Sequence, residues 1–302
     1  MNQRFSIRIA ALCIMLLTIF PMVTGCNSFS ETKYAIVSEG NMSADGFIYD
    51  KYENSTVRIT GMDSVPLLLT IPAEIDGMPV VEIADSAFEG NDNLLYVKFS
   101  KGNIKLGERV FSGCISLVTA DLSDSVTSLP LGTFEECRNL TVIEGLSAVT
   151  EIGDQAFAGC PALTYIILPD SLTAIGAEAF RGCTSLSDII LPEAITSIGE
   201  YIFWGCTGLS KITFNGSAAV PKYALLDCTS LTEVIIGDSV ESIDEEAFRG
   251  CRSLYSIRIG KKLKTIQAYA FHACDSLTDV SFAGSKDNIS IAEGNESLGL
   301  SN

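Results

Sequence analysis

AIGAEAFRGCTSLSDIILP, Ala174 to Pro192, decides the fold because it has close copies on either side. The same register one period earlier reads EIGDQAFAGCPALTYIILP, Glu151 to Pro169, and one period later SIGEYIFWGCTGLSKITF, Ser197 to Phe214. Working outward, Cys114, Cys137, Cys160, Cys183, Cys206, Cys228, Cys251 and Cys274 recur every 23 residues, with one interval of 22 after Cys206. Asn91 holds the same place one period before the first of them. Three residues ahead of this slot stands a Phe in every copy but one, where Leu225 replaces it; three residues behind it stands a Leu, from Leu94 to Leu277. The unit is L-x-x-I-x-L-P-x-x-[VLI]-x-x-I-G-x-x-A-F-x-x-C-x-x, in nine tandem copies.

Such a unit cannot bury its own apolar face. L-x-x-I-x-L ends in the period-two alternation of a short strand, and SLTAIG, Ser171 to Gly176, is a second short extended run before a turn. Copies must therefore stack, each covering the face of the last, and a solenoid follows. Strands stacked about 4.8 Å apart make nine turns roughly 40 Å long, with ladders of Phe, Leu, Ile and Cys running through them.

An even number of cysteines in an exported chain invites a disulfide framework. The register argues against one here. Neighbouring cysteines are stacked with parallel Cα–Cβ vectors, whereas a disulfide needs Cβ atoms about 3.8 Å apart and turned toward each other. The ladder is expected to hold buried free thiols that pack as small hydrophobes and offer a weak hydrogen bond.

Composition narrows the function. The chain is 302 residues long, 47% hydrophobic and 19% charged, enough for a large core. Its net charge of -17 repels phosphates, so no nucleic-acid partner is expected. The sole histidine, His272, sits in a repeat slot, and the sequence has no nucleophile beside a base, no glycine-rich phosphate loop and no zinc-spaced cluster. Paired carboxylates are abundant, as in any acidic chain, and give a glycosidase no positive support. No catalytic residue, metal or cofactor is expected.

Residues 1–25 read as an address. Arg4 and Arg8 precede the apolar run Ile9 to Phe20, which is short for a bilayer span and fits a secretory signal. The segment ends VTGC, Val23 to Cys26, which resembles the lipobox of bacterial lipoproteins; that resemblance implies cleavage before Cys26 and a lipid anchor on its thiol. Two or three acyl chains would hold the protein stably at a membrane whose anionic headgroups repel its acidic surface.

The phrases IPAEIDGMPVVEIADSAFEG at Ile71 to Gly90, LPDSLTAIGAEAFRGCTSL at Leu168 to Leu186 and AGSKDNISIAEGNESL at Ala283 to Leu298 resemble the BspA-like leucine-rich repeat proteins. The fold class expected is α/β, mostly β: a leucine-rich-repeat solenoid with an N-terminal β-hairpin cap and a short C-terminal cap. The expected divisions are a signal peptide at 1–25, acylated Cys26 and tether at 26–34, the N-terminal cap at 35–75, repeats at 76–282 and the C-terminal cap at 283–302. The hairpin is read from FIYDKYENSTVRIT, whose alternation turns at Glu53 and Asn54. The resemblance further implies a bacterial surface protein, extracytoplasmic, that binds host or neighbouring-cell proteins or extracellular matrix; a monomer is expected. The alternative is a structural or glycan-binding component of the bacterial envelope.

Two surfaces are candidates for that binding. Leucine-rich repeat proteins generally use the strand face turned from the core, where Val142, Tyr165, Ile167 and Ile190 are expected to form an apolar strip flanked by acids; β-branched residues also simply favour strands. The other surface lies beside the shortened repeat, whose missing residue is expected to kink the solenoid. There the only tryptophan, Trp204, is expected to neighbour Leu226 on a largely solvent-facing ridge, either as a binding hot spot or as cover for a packing defect.

Overall fold

A computed structural model of the chain describes residues 34–299. Residues 1–25, expected to be a signal peptide, and Cys26 lie outside the described residues.

All but one of the L-x-x-I-x-L segments become rungs of a parallel ladder, because their alternating residues can bury one face only while the strand lies against the turns before or after it. Four rungs, Leu68–Ile71, Tyr96–Phe99, Thr119–Asp121 and Val142–Glu144, form one sheet. Five more, Asp188–Leu191, Lys211–Phe214, Glu233–Ile236, Ser256–Ile259 and Asp279–Phe282, form a second. The first rung, Leu68–Ile71, lies within the stretch expected as cap and pairs in register with Tyr96–Phe99.

The I-G portion makes another ladder of two-residue strands, among them Ser128–Leu129, Glu151–Ile152, Ala174–Ile175 and Ser197–Ile198. The third side of the coil is turns, whose amides still bond the next copy: Gln155 N–H donates to Ala177 O at 2.9 Å and Phe157 N–H to Ala179 O at 2.8 Å. Most turns of the coil are therefore tied to their neighbours by backbone hydrogen bonds on three sides. Among the described residues the only helices are 3-10 segments, Lys286–Asn288 and Glu296–Leu298. Gly153 of the I-G pair is there for room: a Cβ would come within 2.8 Å of the Pro130 carbonyl carbon.

The core is a set of stacked identical side chains. Phe88, Phe111, Phe134, Phe157, Phe180 and Phe203 stack nearly parallel with centroids 5.3 to 5.6 Å apart. Leu225 interrupts the column, which resumes with Phe248 on Phe271 at 5.0 Å. The eight cysteines are buried and free. Each thiol donates to the carbonyl of the Phe-slot residue one turn back, as Cys160 Sγ does to Phe134 O at 3.1 Å. At Cys251 the acceptor is Leu225 O, 3.2 Å away, so the bond depends on the backbone and survives loss of the ring. Burial pushes these thiols up, Cys114 to about 11 and Cys183 and Cys274 to about 12.

The shortened repeat acts on one side of the coil. The strand sheet crosses it in unbroken register, Lys211 against Glu233, while the I-G ladder stops at Ser197–Ile198 and restarts at Ser242–Ile243, to which Val220 makes a single bridge.

Both ends are closed. Phe47–Tyr52 and Val57–Met62 form the antiparallel hairpin read from the sequence, and Val57–Met62 lies parallel to Met78–Ile83 of the first turn. Phe47, Tyr49, Val57 and Ile59 point into the core, and Tyr49 Oη–H donates to Asp76 and Tyr52 Oη–H to Glu82 at 2.7 and 2.8 Å. At the other end buried Asn295 accepts from Phe271 N–H at 3.1 Å and donates to Gln267 O and Ala292 O, both at 2.9 Å. Its side-chain oxygen does for the last turn what the next turn's carbonyl does elsewhere, as Ala270 O does for Phe248 N–H.

Candidate binding face and cleft

The two strand sheets are separate because of one glycine. Gly145 stands where Phe99, Leu122, Leu168 and Leu191 fill the core in other copies. Its φ of +73° is incompatible with continuing a strand, and a Cβ there would collide with the backbone of Leu122 to Asp124. The chain instead folds onto the preceding turn: Leu122 N–H bonds Glu144 O at 3.0 Å, Asp124 N–H bonds Gly145 O at 3.2 Å, and Ser147 N–H reaches Asp124 Oδ1 at 3.0 Å.

The following copy, Tyr165 to Leu168, is left without a sheet partner. Its alternation persists, with Tyr165 and Ile167 outward and Ile166 and Leu168 inward. Among the described residues, however, none of its backbone N–H or C=O groups makes a hydrogen bond. Ile166 and Leu168 retain 7% and 9% exposure where Val97, Phe99 and Ile212 have none. The sheet is thus open between this segment and Asp188–Leu191, and a cleft of about 860 Å³ occupies the opening. Ile166, Ile167 and Leu168 line it from one copy and Asp188, Ile189 and Ile190 from the next, together with Asp170 and Glu193.

Three of the four residues expected to form the apolar strip are plainly exposed: Tyr165 at 56%, Ile167 at 78% and Ile190 at 64%. Ile167 and Ile190 both line the cleft. Val142 is half-buried and belongs to the other sheet, so the strip is divided by the interruption. Sequence reading missed the cleft, although its signal was visible as Gly in a slot otherwise filled by Leu or Phe.

At the second candidate surface Trp204 is half-exposed and Leu226 partly buried. The ridge is less open than expected, since Ser112 and Ala158 in the same slot are buried. The indole lies 5.7 Å from the Tyr201 ring, which stacks on Tyr223 at 4.6 Å, and the Arg181 guanidinium lies 6.0 Å from the indole centroid. Lys222 lies over Tyr223 and pairs with Glu245 at 2.7 Å, which raises the Lys222 pKa. Neither tyrosine was singled out from sequence; they come together because both occupy the same slot of adjacent copies. Among the described residues no group of three or more His, Cys, Asp or Glu is placed to hold a metal ion, and no helix is long and apolar enough to cross a membrane.

A stack of repeated short strands and turns, carrying its variable residues outward, defines a leucine-rich repeat solenoid. The family model described as BspA type Leucine rich repeat region (6 copies) matches residues 76–187 and 150–278, and the chain belongs to that family. Among solved structures it is similar to the T. pallidum Leucine Rich Repeat protein, with 25% identity over 79% of this chain and 91% of that one, at a TM-score of 0.46. A leucine rich cell surface protein from Faecalibacterium prausnitzii matches at 21% identity over 83% and 97% of the two chains, TM-score 0.46. A leucine-rich repeat protein from Eubacterium ventriosum matches at 17% over 85% and 93%, TM-score 0.49. No curated protein matches the chain. Leucine-rich repeat proteins generally bind proteins, and their solenoids are typically non-catalytic.

Proposed function

We propose that this protein is a non-catalytic cell-surface binding protein, an adhesin or interaction module held to a bacterial membrane through lipidated Cys26, that engages a protein of a host, a neighbouring cell or the extracellular matrix. The observation that carries the reading is the exposure of Tyr165, Ile167 and Ile190 beside an open cleft on the strand face of a chain of net charge -17. Large apolar side chains so placed gain most when a partner covers them. Its extracytoplasmic position rests on the lipobox-like VTGC and on family membership.

The glycan-binding reading is favoured by a different observation, the half-exposed Trp204 with Tyr201 and Tyr223 between Arg181 and Lys222, since flat rings with polar neighbours suit sugar faces. The two are separated by screening the full chain in detergent against extracellular-matrix proteins and envelope glycans, beside an Ile167→Glu, Ile190→Glu double variant and a Trp204→Ala variant. A protein ligand lost only in the double variant is the expected result. A glycan ligand lost only with Trp204 would replace it with the envelope reading.

A further inference from the structure

We infer that the opening between Tyr165–Leu168 and Asp188–Leu191 receives an extended, basic peptide segment of the protein ligand, which adds to the interrupted sheet and buries an apolar side chain in the cleft. This rests on the strand-face reading and names the chemistry of its partner.

Backbone, shape and charge lead to that occupant independently. Asp188–Leu191 is the edge of its five-stranded sheet, so its side toward the cleft is unpaired. Ile166 to Leu168, which lines the same cleft, keeps a strand's in–out alternation and makes no backbone hydrogen bond among the described residues. Two facing rows of free donors and acceptors are what a single added strand satisfies. A sugar or a folded helix offers no matching row.

The cleft walls then select side chains. An extended peptide points alternate residues to one side, and on the inward side Ile166, Leu168 and Ile189 present an apolar surface in a volume typical of ligand pockets, about 300–1,000 Å³, while Asp188 points outward. Asp170, Asp188 and Glu193 line the same cleft, and none of the three forms an ion pair among the described residues. Lysine or arginine at the intervening positions of the peptide would meet these carboxylates, and an acidic peptide would be repelled.

The test uses the full chain with three fluorescein-labelled seven-residue peptides: alternating Lys and Val, alternating Glu and Val, and alternating Lys and Ser. Only the Lys-Val peptide is expected to bind. Ile190→Lys and Asp170→Lys should each weaken it by about tenfold or more, while Tyr255→Glu, at an exposed position remote in sequence, should leave it unchanged. Hydrogen exchange on the unsubstituted protein should show the Ile166 to Leu168 amides exchanging quickly when free and slowly when peptide is bound. Equal binding of the Lys-Ser or Glu-Val peptide, binding indifferent to both cleft substitutions, or no change at those amides would overturn the inference. Capture of a folded matrix protein that Ile167→Glu, Ile190→Glu abolishes, with none of the peptides bound, would overturn the inference alone and leave the strand-face reading intact; loss of both would remove that reading as well.

Discussion

The sulfur of Cys160 lies 3.1 Å from the carbonyl oxygen of Phe134, 26 residues earlier in the chain and directly across one turn of the coil. The same bond recurs at the other seven ladder cysteines, between 3.0 and 3.2 Å. A thiol can donate only while protonated, and a thiolate in this core would face a carbonyl oxygen with no solvent to offset the charge. Cysteine is therefore small enough for the stack and polar enough to satisfy one carbonyl lone pair. The price of the arrangement is sensitivity to base.

The first prediction follows from that sensitivity. Burial raises the folded pKa of Cys114 from 9.0 to about 11 and of Cys183 and Cys274 to about 12, and the other five rise as well. A raised pKa contributes stability that is complete below the unfolded value and disappears as pH climbs through the folded one. Between these limits each thiol imposes a slope of roughly 1.4 kcal/mol per pH unit. The urea midpoint should be level from pH 6 to 8 and fall steeply above pH 9. A level midpoint through pH 10.5 would contradict the buried ladder.

Asn295 closes the last turn through one accepted and three donated hydrogen bonds. Asn295→Ala leaves the Phe271 amide buried without a partner, and should cost about 1–3 kcal/mol. Amide exchange should quicken in the final turn around Phe271 before it does in the Phe134 to Phe180 region. Unchanged exchange at Phe271 would show that the tail beyond Ala292 is not a cap.

Gly145 and Gly77 share a left-handed φ, +73° and +75°, yet differ in surroundings: a Cβ at Gly77 meets nothing within 4 Å, and one at Gly145 meets the backbone of Leu122 to Asp124. Gly77→Ala should cost about 1 kcal/mol, the conformational penalty alone. Gly145→Ala adds the collision and should cost about 1–3 kcal/mol more. Equal thermal shifts for the two variants would mean that the chain at Gly145 does not lie against the preceding turn.

The ladder, the buried thiols and the hairpin were legible in sequence because each is periodic or local. A 23-residue period fixes which side chains stack, and the Glu53-Asn54 turn sits between alternating strands eight or fewer residues apart. The cleft was not read, because averaging nine copies into one unit hides the single slot where Gly145 replaces Leu. The Tyr201, Trp204 and Tyr223 cluster escaped for another reason: it joins positions 22 residues apart that the unit marks as x. Asn295 lies beyond the last cysteine, where the period gives no guidance. The short repeat was seen, but its effect falls on the I-G ladder, and the strand sheet opens two copies earlier.

The most direct test of binding through the strand face is site-specific photo-crosslinking. A photoreactive amino acid placed at Ile167, at Trp204 or at Tyr255 in the full chain, all three exposed, would be challenged with the extracellular-matrix protein it captures. Crosslinks from position 167, with none from 204 or 255, are the result expected of a ligand seated at the interrupted sheet. Crosslinks from position 204 with none from 167 would contradict it and place recognition on the aromatic ridge.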